Sequence, residues 1–167
     1  MTTQIKGNDT STFGGNIDVP QIITDAPAFH AVSNVGQTIS NSTDTKVQIN
    51  VVTFDTSSAY DNATNYRFTP TTAGYYSVYG NVVYAGGTTG GNVMALIRKN
   101  GSNVLNGSLG NTSLTGIGAL AHVSGLIYLN GSTDYVELYT KQFFGVSKAL
   151  QTDTTAVYFG GHLARAV

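Results

Sequence analysis

The chain has no cysteine. That one absence excludes a disulfide framework, a thiolate nucleophile and a cysteine zinc site together. Charge is almost as scarce: Lys, Arg, Asp and Glu supply 10% of the 167 residues, against about 25% in an average soluble domain. The net charge of -1 gives no basic surface for capturing a polyanion, so nucleic acid is not an expected partner. No apolar run approaches the roughly 18 residues that a membrane span needs, and membrane insertion is not expected. The amino terminus, MTTQIKGNDTSTFGG, lacks the apolar centre of a secretory leader, which points to synthesis in a cytosol. The length fits one domain, large enough to bury about 68–70% of its unfolded surface without disulfides.

Signatures of catalysis are missing as well. The sequence holds no Gly-x-Ser-x-Gly elbow, no phosphate loop and no dinucleotide fingerprint. Gly116-Ile117-Gly118 lacks both the third glycine and a following helix. No pair of acids stands out as a glycosidase dyad. The expectation is therefore a protein that is not an enzyme, with no catalytic residues and no cofactor. His30, His122 and His162 each fall in a strand-like run with no second ligand at metal spacing. They read as packed or surface residues; the alternative is a metal cluster assembled by folding or across a three-fold axis. Asp55 and Asp61 flank one loop and are the only calcium candidates. Asx-turn formation is the competing role for both.

What the chain does have is Thr, Asn, Ser and Gly in place of Lys and Glu. Short polar side chains compete for backbone hydrogen bonds, which disfavours helices and favours turns and strands. Period-two alternation predicts strands near 28–34, 46–54, 66–69, 74–84, 92–99, 119–129, 134–141 and 155–165. Turn signals separate them at Asn41-Ser42, Gly86-Gly87 through Gly90-Gly91, Asn100-Gly101 and Asn130-Gly131. The Gly- and Asn-rich segment 101–118 reads as a long exposed loop. Along 74–84, Tyr76, Val78, Val82 and Tyr84 share one face, and Tyr75, Ser77, Tyr79 and Asn81 share the other. Aromatic rings on both faces suggest a sheet packed on its own domain on one side and on a partner on the other. About eight to ten short antiparallel strands with no helical period indicate an all-β sandwich of the jelly-roll type, with an extended N-terminal arm.

A series of motifs gives this outline a family resemblance. In order they are Pro27-Ala28-Phe29-His30-Ala31, Phe54-Asp55, Tyr60-Asp61, Phe68-Thr69 and Gly74-Tyr75-Tyr76. Leu96-Ile97-Arg98-Lys99-Asn100-Gly101, Asn130-Gly131-Ser132-Thr133-Asp134-Tyr135-Val136 and Phe159-Gly160-Gly161-His162-Leu163 follow. The set resembles the globular head of the complement component 1q family, the trimeric jelly roll shared with tumour necrosis factor. The resemblance covers residue 27 to residue 167 and implies a homotrimer. His162 falls where the family carries an aromatic near the trimer core, and with Tyr75 and Tyr79, the rings on the outer face of 74–84, it makes up the expected subunit interface. The buried set expected is Phe29, Phe54, Phe68, Tyr76, Val78, Leu96, Val136, Leu138, Phe159 and Leu163.

Residues 1–26 differ in character: sparse apolar residues, among them Ile5, Phe13, Ile17 and Val19, are interrupted by glycines. Such an arm cannot form a core of its own and is ordered only by docking. The phrase from Lys6 to Ile17 resembles the start of tailed-phage virion proteins, in which a short arm precedes a variable head. The sequence therefore points to a structural protein of a virion, either a capsid decoration protein or a short tail or head fibre. Its arm would meet other virion proteins, and its head would meet a host-surface glycan or protein. The alternative is a released, lectin-like trimeric adhesin.

Overall fold

The computed structural model describes residues 26–86, 90–109 and 118–167. These residues hold strands β1 (Ala28–Val32), β2 (Thr38–Ile39), β3 (Thr45–Lys46), β4 (Val51–Asp55), β5 (Tyr60–Asp61), β6 (Arg67–Phe68) and β7 (Ala73–Val83). They continue with β8 (Val93–Lys99), β9 (Ser102–Leu109), β10 (Leu120–Asn130), β11 (Val136–Gln142), β12 (Lys148–Ala149) and β13 (Tyr158–Ala166). The front sheet runs β10-β7-β13-β1-β4 and the back sheet β5-β6-β11-β8-β9, with β3 attached to β11. All the strand pairs are antiparallel. No helix among the described residues is long and apolar enough to cross a membrane.

Alternation along β7 sets the frame. Tyr76, Val78 and Val82, with Tyr84 just beyond the strand, are fully buried between the sheets. Odd-numbered β7 residues face the other way, as a pleated strand requires. The base of the core is aromatic. The Phe29 ring stacks on Phe68 at 4.3 Å and on Tyr60 at 5.1 Å, and meets the edge of Phe159 at 5.1 Å. Phe68 in turn meets Tyr76 at 5.7 Å. Phe29, Tyr76 and Phe159 come from the front sheet and Tyr60 and Phe68 from the back, so this cluster ties the two layers together. Each ring pair contributes about 0.5–1.5 kcal/mol beyond the area it buries. The buried phenols keep a partner: Tyr60 donates to the Ile49 carbonyl at 3.1 Å and Tyr76 to the Thr72 carbonyl at 2.8 Å. Burial pushes the Tyr76 phenol up to about 12.

Val78, Val136, Leu138 and Leu163 complete the buried set with Phe29, Phe68, Tyr76 and Phe159. Leu96 is covered too, but it lies opposite Tyr139 and outside the main core, while its neighbours Ala95 and Ile97 are inside. Phe54 is the exception to the expected core, with 47% of its surface exposed. A bulge between His30 and Ala31 shifts the β1–β4 register and sets Phe54 opposite His30, on the outside of the front sheet.

Two expected elements are also corrected. The single strand expected at 46–54 is two strands in different layers: β3 pairs with β11 in the back sheet and β4 with β1 in the front. Buried Val47 and Ile49 fill the crossing between them. The long loop expected at 101–118 begins instead as a strand. Asn100 and Gly101 have φ of 51° and 81°, the left-handed pair of a tight hairpin turn. The chain therefore returns at once as β9, paired along β8. Residues 110–117 lie outside the described part.

One carboxylate fastens the base. Asp134 accepts hydrogen bonds from the Asn100 amide at 2.7 Å and the Asn130 backbone N–H at 3.0 Å, and pairs with Lys99 at 2.7 Å. Asn100 Oδ1 accepts from the Tyr135 N–H at 3.0 Å, so the β8–β9 and β10–β11 turns are locked to each other. The Lys99 ammonium, then the Asn100 amide and the Asn130 N–H, hold the Asp134 carboxyl below the usual range. A carboxyl lowered in the folded state stabilises above its unfolded pKa of about 3.9 and loses that contribution as pH falls below it. Asp134→Ala is expected to cost about 2 kcal/mol at pH 7. It should also remove part of the stability lost between pH 5 and 2 in urea melts. Identical acid profiles for the two proteins would show that Asp134 is not a fastener.

Candidate functional site: an aromatic sheet face

The described charges are distributed unevenly over the two sheets. On the outer side of the back sheet, Lys46 pairs with Glu137, Arg98 pairs with Asp44, and Lys141 reaches the same Asp44 at 3.1 Å. The Arg98 guanidinium lies 4.0 Å from the Tyr139 ring centroid, and that of Arg67 lies 4.4 Å from Tyr135. This is a hydrated, cross-linked surface. On the outer side of the front sheet the register brings rings and aliphatic groups together instead, and the charges that reach it, Arg165 opposite Tyr75 and the Lys99 ammonium 5.5 Å from the Tyr128 ring centroid, stand at one end of the strands.

The front face has two apolar flanks. On the β1–β4 side, His30 sits among Tyr158 at 5.7 Å, Tyr79 at 6.0 Å and Phe54 at 6.2 Å, measured between ring centroids. Tyr79 reaches across β13 to get there. A Cβ at Gly160 would stand 2.4 Å from the Tyr79 hydroxyl, so the bare glycine backbone is the floor on which the ring lies. The Tyr79 hydroxyl then meets His30 Nδ1 at 3.2 Å. On the β10 side, Tyr75 and Tyr128 stand opposite each other with centroids 5.6 Å apart. Leu126 is 60% exposed and Leu120 is 44% exposed, both on the same row of β10. Phe54, Tyr75, Leu120, Leu126 and Tyr128 are thus exposed large side chains gathered on one sheet face rather than scattered singly over the surface.

The residues expected at an interface, Tyr75, Tyr79 and His162, all lie on this front face. Tyr75 stands beside Tyr128, and His162 stands opposite Ser77 and Ala28. Sequence reasoning missed Phe54, Tyr158, Leu126 and Tyr128. The signal for the last two was present: β10 alternates Leu120, His122, Ser124, Leu126 and Tyr128 against Ala121, Val123, Ile127 and Leu129. Both rows contain apolar residues, so only the sheet order shows which row is outside.

The calcium candidates have other work. Asp61 accepts from the backbone N–H groups of Ala63, Thr64 and Asn65 and from the Asn65 amide. The amides of Thr64 and Ala63 first of all hold its pKa at about 2. Asp55 accepts from the N–H groups of Ser57 and Tyr60. Both form loop turns of the Asx type, and among the described residues no three His, Asp or Glu side chains gather as a metal group. The arm residues Ile5, Phe13, Ile17 and Val19 lie outside the described residues.

No protein-family model and no curated protein matches the sequence. Solved structures do. The globular domain of zebrafish complement 1qA superposes with a TM-score of 0.61 at 17% identity, covering 84% of this chain and 99% of that one. Murine APRIL gives 0.58 at 13% identity, covering 83% and 98%. Eiger TNF from S. frugiperda gives 0.57 at 10% identity, covering 85% and 93%. The chain has the jelly-roll fold of these domains.

The His30 cluster makes a prediction of its own. Burial among rings, with no carboxylate against it, lowers the His30 pKa. A histidine lowered in the folded state stabilises fully above its unfolded pKa of about 6.5 and loses that contribution as pH falls below it. The melting temperature is expected to drop more steeply from pH 7.5 to 5 in the parent than in His30→Phe. Parallel profiles would place the pH dependence elsewhere.

Proposed function

We propose that the chain is a non-catalytic, homotrimeric binding module serving as a structural protein of a tailed-phage virion, as capsid decoration or as a short fibre. The observation that carries the trimer is the uneven charge: a sandwich whose back is charged and cross-linked and whose front is mainly aromatic and aliphatic, with Arg165 and the Lys99 ammonium only at its base. The fold shared with complement 1q and TNF-like domains supports it. A closed three-fold ring would bury the three front faces together and remove their apolar area from water.

The two poles of the sandwich support a division of labour. At the base, Ala28 is opposite His162 and Ala166 is opposite Gly74, so the chain enters and leaves there. At the far pole, β7 ends and β10 begins, with Val83 opposite Leu120, while Val93 is opposite both Leu109 and Gln142. In this reading the arm of residues 1–26 anchors the base to the particle, and residues 27–167 form the head. The far pole, where these described strand ends stand, is then the outward end and binds a host-surface glycan or protein. Three weak contacts on one trimer gain effective concentration against a repetitive surface.

Two measurements test the separate parts. Sedimentation of the purified chain is expected to give a trimer, and Leu126→Asp, a change at an exposed position, is expected to give a folded monomer. A monomeric parent would sink the trimer. Deletion of residues 1–26 should leave a trimer that no longer enters particles. If the truncated chain is found on purified particles at parental levels, the arm is not the anchor. If the full chain is found only free in the lysate, the released adhesin replaces the virion protein.

A further inference from the structure

His162 is the feature of the front face that the aromatic flanks leave unexplained. It projects from β13, the middle strand of the front sheet, and it is exposed. Its cross-strand neighbours are Ser77 and Ala28, and its neighbour along the outer row is Gly160. The imidazole thus rises among small residues, with Arg165 following on β13 beyond the bulge and opposite Tyr75. No hydrogen bond, ion pair or ring contact holds it within the described residues, whereas His30 is tied to Tyr79.

The position of that strip has a symmetry consequence, which rests on the trimer reading. A cyclic trimer has heterologous interfaces, in which one patch meets a different patch on the next copy. The front face supplies two such patches: the Leu120, Leu126, Tyr75 and Tyr128 flank, and the Phe54, His30, Tyr79 and Tyr158 flank. When the first flank of each copy covers the second flank of its neighbour, the strip between the flanks faces the axis. Three copies of His162 then meet there.

Enclosing three partnerless imidazoles is costly unless they are satisfied. The strip offers no carboxylate: Asp55 stands opposite the buried Phe29, on the inner row, and is engaged by the Ser57 and Tyr60 amides. Neutral imidazole is a preferred donor for zinc, copper and nickel. Three nitrogens related by a three-fold axis form a trigonal set with a position left open. We propose that the His162 side chains of three chains form an axial site for a divalent transition cation of the zinc class.

The test uses the full chain, stripped of metal and dialysed against Zn²⁺, with metal content and sedimentation read on the same sample. The expected result is one zinc per three chains and a trimer that resists dilution at least tenfold further with zinc than without. His162→Ala and His162→Gln should both remain trimeric and lose the zinc, while His122→Ala, which removes an exposed imidazole on β10, should keep it. A trimer that takes up no zinc overturns the site. Uptake unchanged in both His162 variants also overturns it. A chain that sediments as a monomer with and without zinc overturns the trimer reading itself, a result that metal content alone would not give.

Discussion

The stacking of Phe29 on Tyr60 and Phe68 is the contact on which the rest of the structure depends. The two β strands that carry Tyr60 and Phe68 are two residues each, far too short to hold a sheet edge by their own ladders. They stay in place because both their rings stack on Phe29, at 5.1 and 4.3 Å. The Asp55 and Asp61 carboxylates hold the turns that deliver those rings. The acids that a reader of the sequence weighs as ligands are thus part of the device that positions the core. Losing a ring of this size from such a cluster costs about 3–5 kcal/mol, a large fraction of the stability of one domain.

This explains why the fold was legible in the sequence. The motifs that carry the resemblance include the four rings around this one point, together with the turn residues that aim them. Asn100-Gly101 was equally readable, because the left-handed pair of a tight hairpin turn strongly favours those residues. The strand that follows it was not. Ser102, Asn103 and Asn106 gave β9 a loop-like composition, although its pairing with β8 decides its state. The fate of Phe54 was hidden for a different reason. A register shift of one residue in the β1–β4 ladder changes the face on which an edge side chain lies, and no local pattern marks that bulge.

The candidate site was half legible. Tyr75 and Tyr79 were placed on the outer face from alternation along a single strand. The flanks required the order of the strands, because Phe54, Tyr79 and Tyr158 come from three separate elements and meet only when β13 lies between β7 and β1. Gly160 contributes by what it omits: any side chain there would lift Tyr79 off the sheet and break its contact with His30. Composition alone gave the direction of the argument. A chain with few charges has little means of protecting an open sheet face, so where those few stand carries information.

That placement bears on the choice among architectures. A front-to-front dimer would also cover the aromatic face, but an isologous contact sets like against like about a two-fold axis. It would bring two copies of the strip between the flanks, small residues with one projecting imidazole, against each other. The bulky flanks would then prop that strip apart and leave a void along β13, and voids forfeit the packing that makes burial favourable. A ring in which flank meets flank needs no such gap, because the flanks pack on each other and the recessed strip is left to line the axis. The small residues beside His162 are then a matter of geometry: they leave room at the axis for what projects into it.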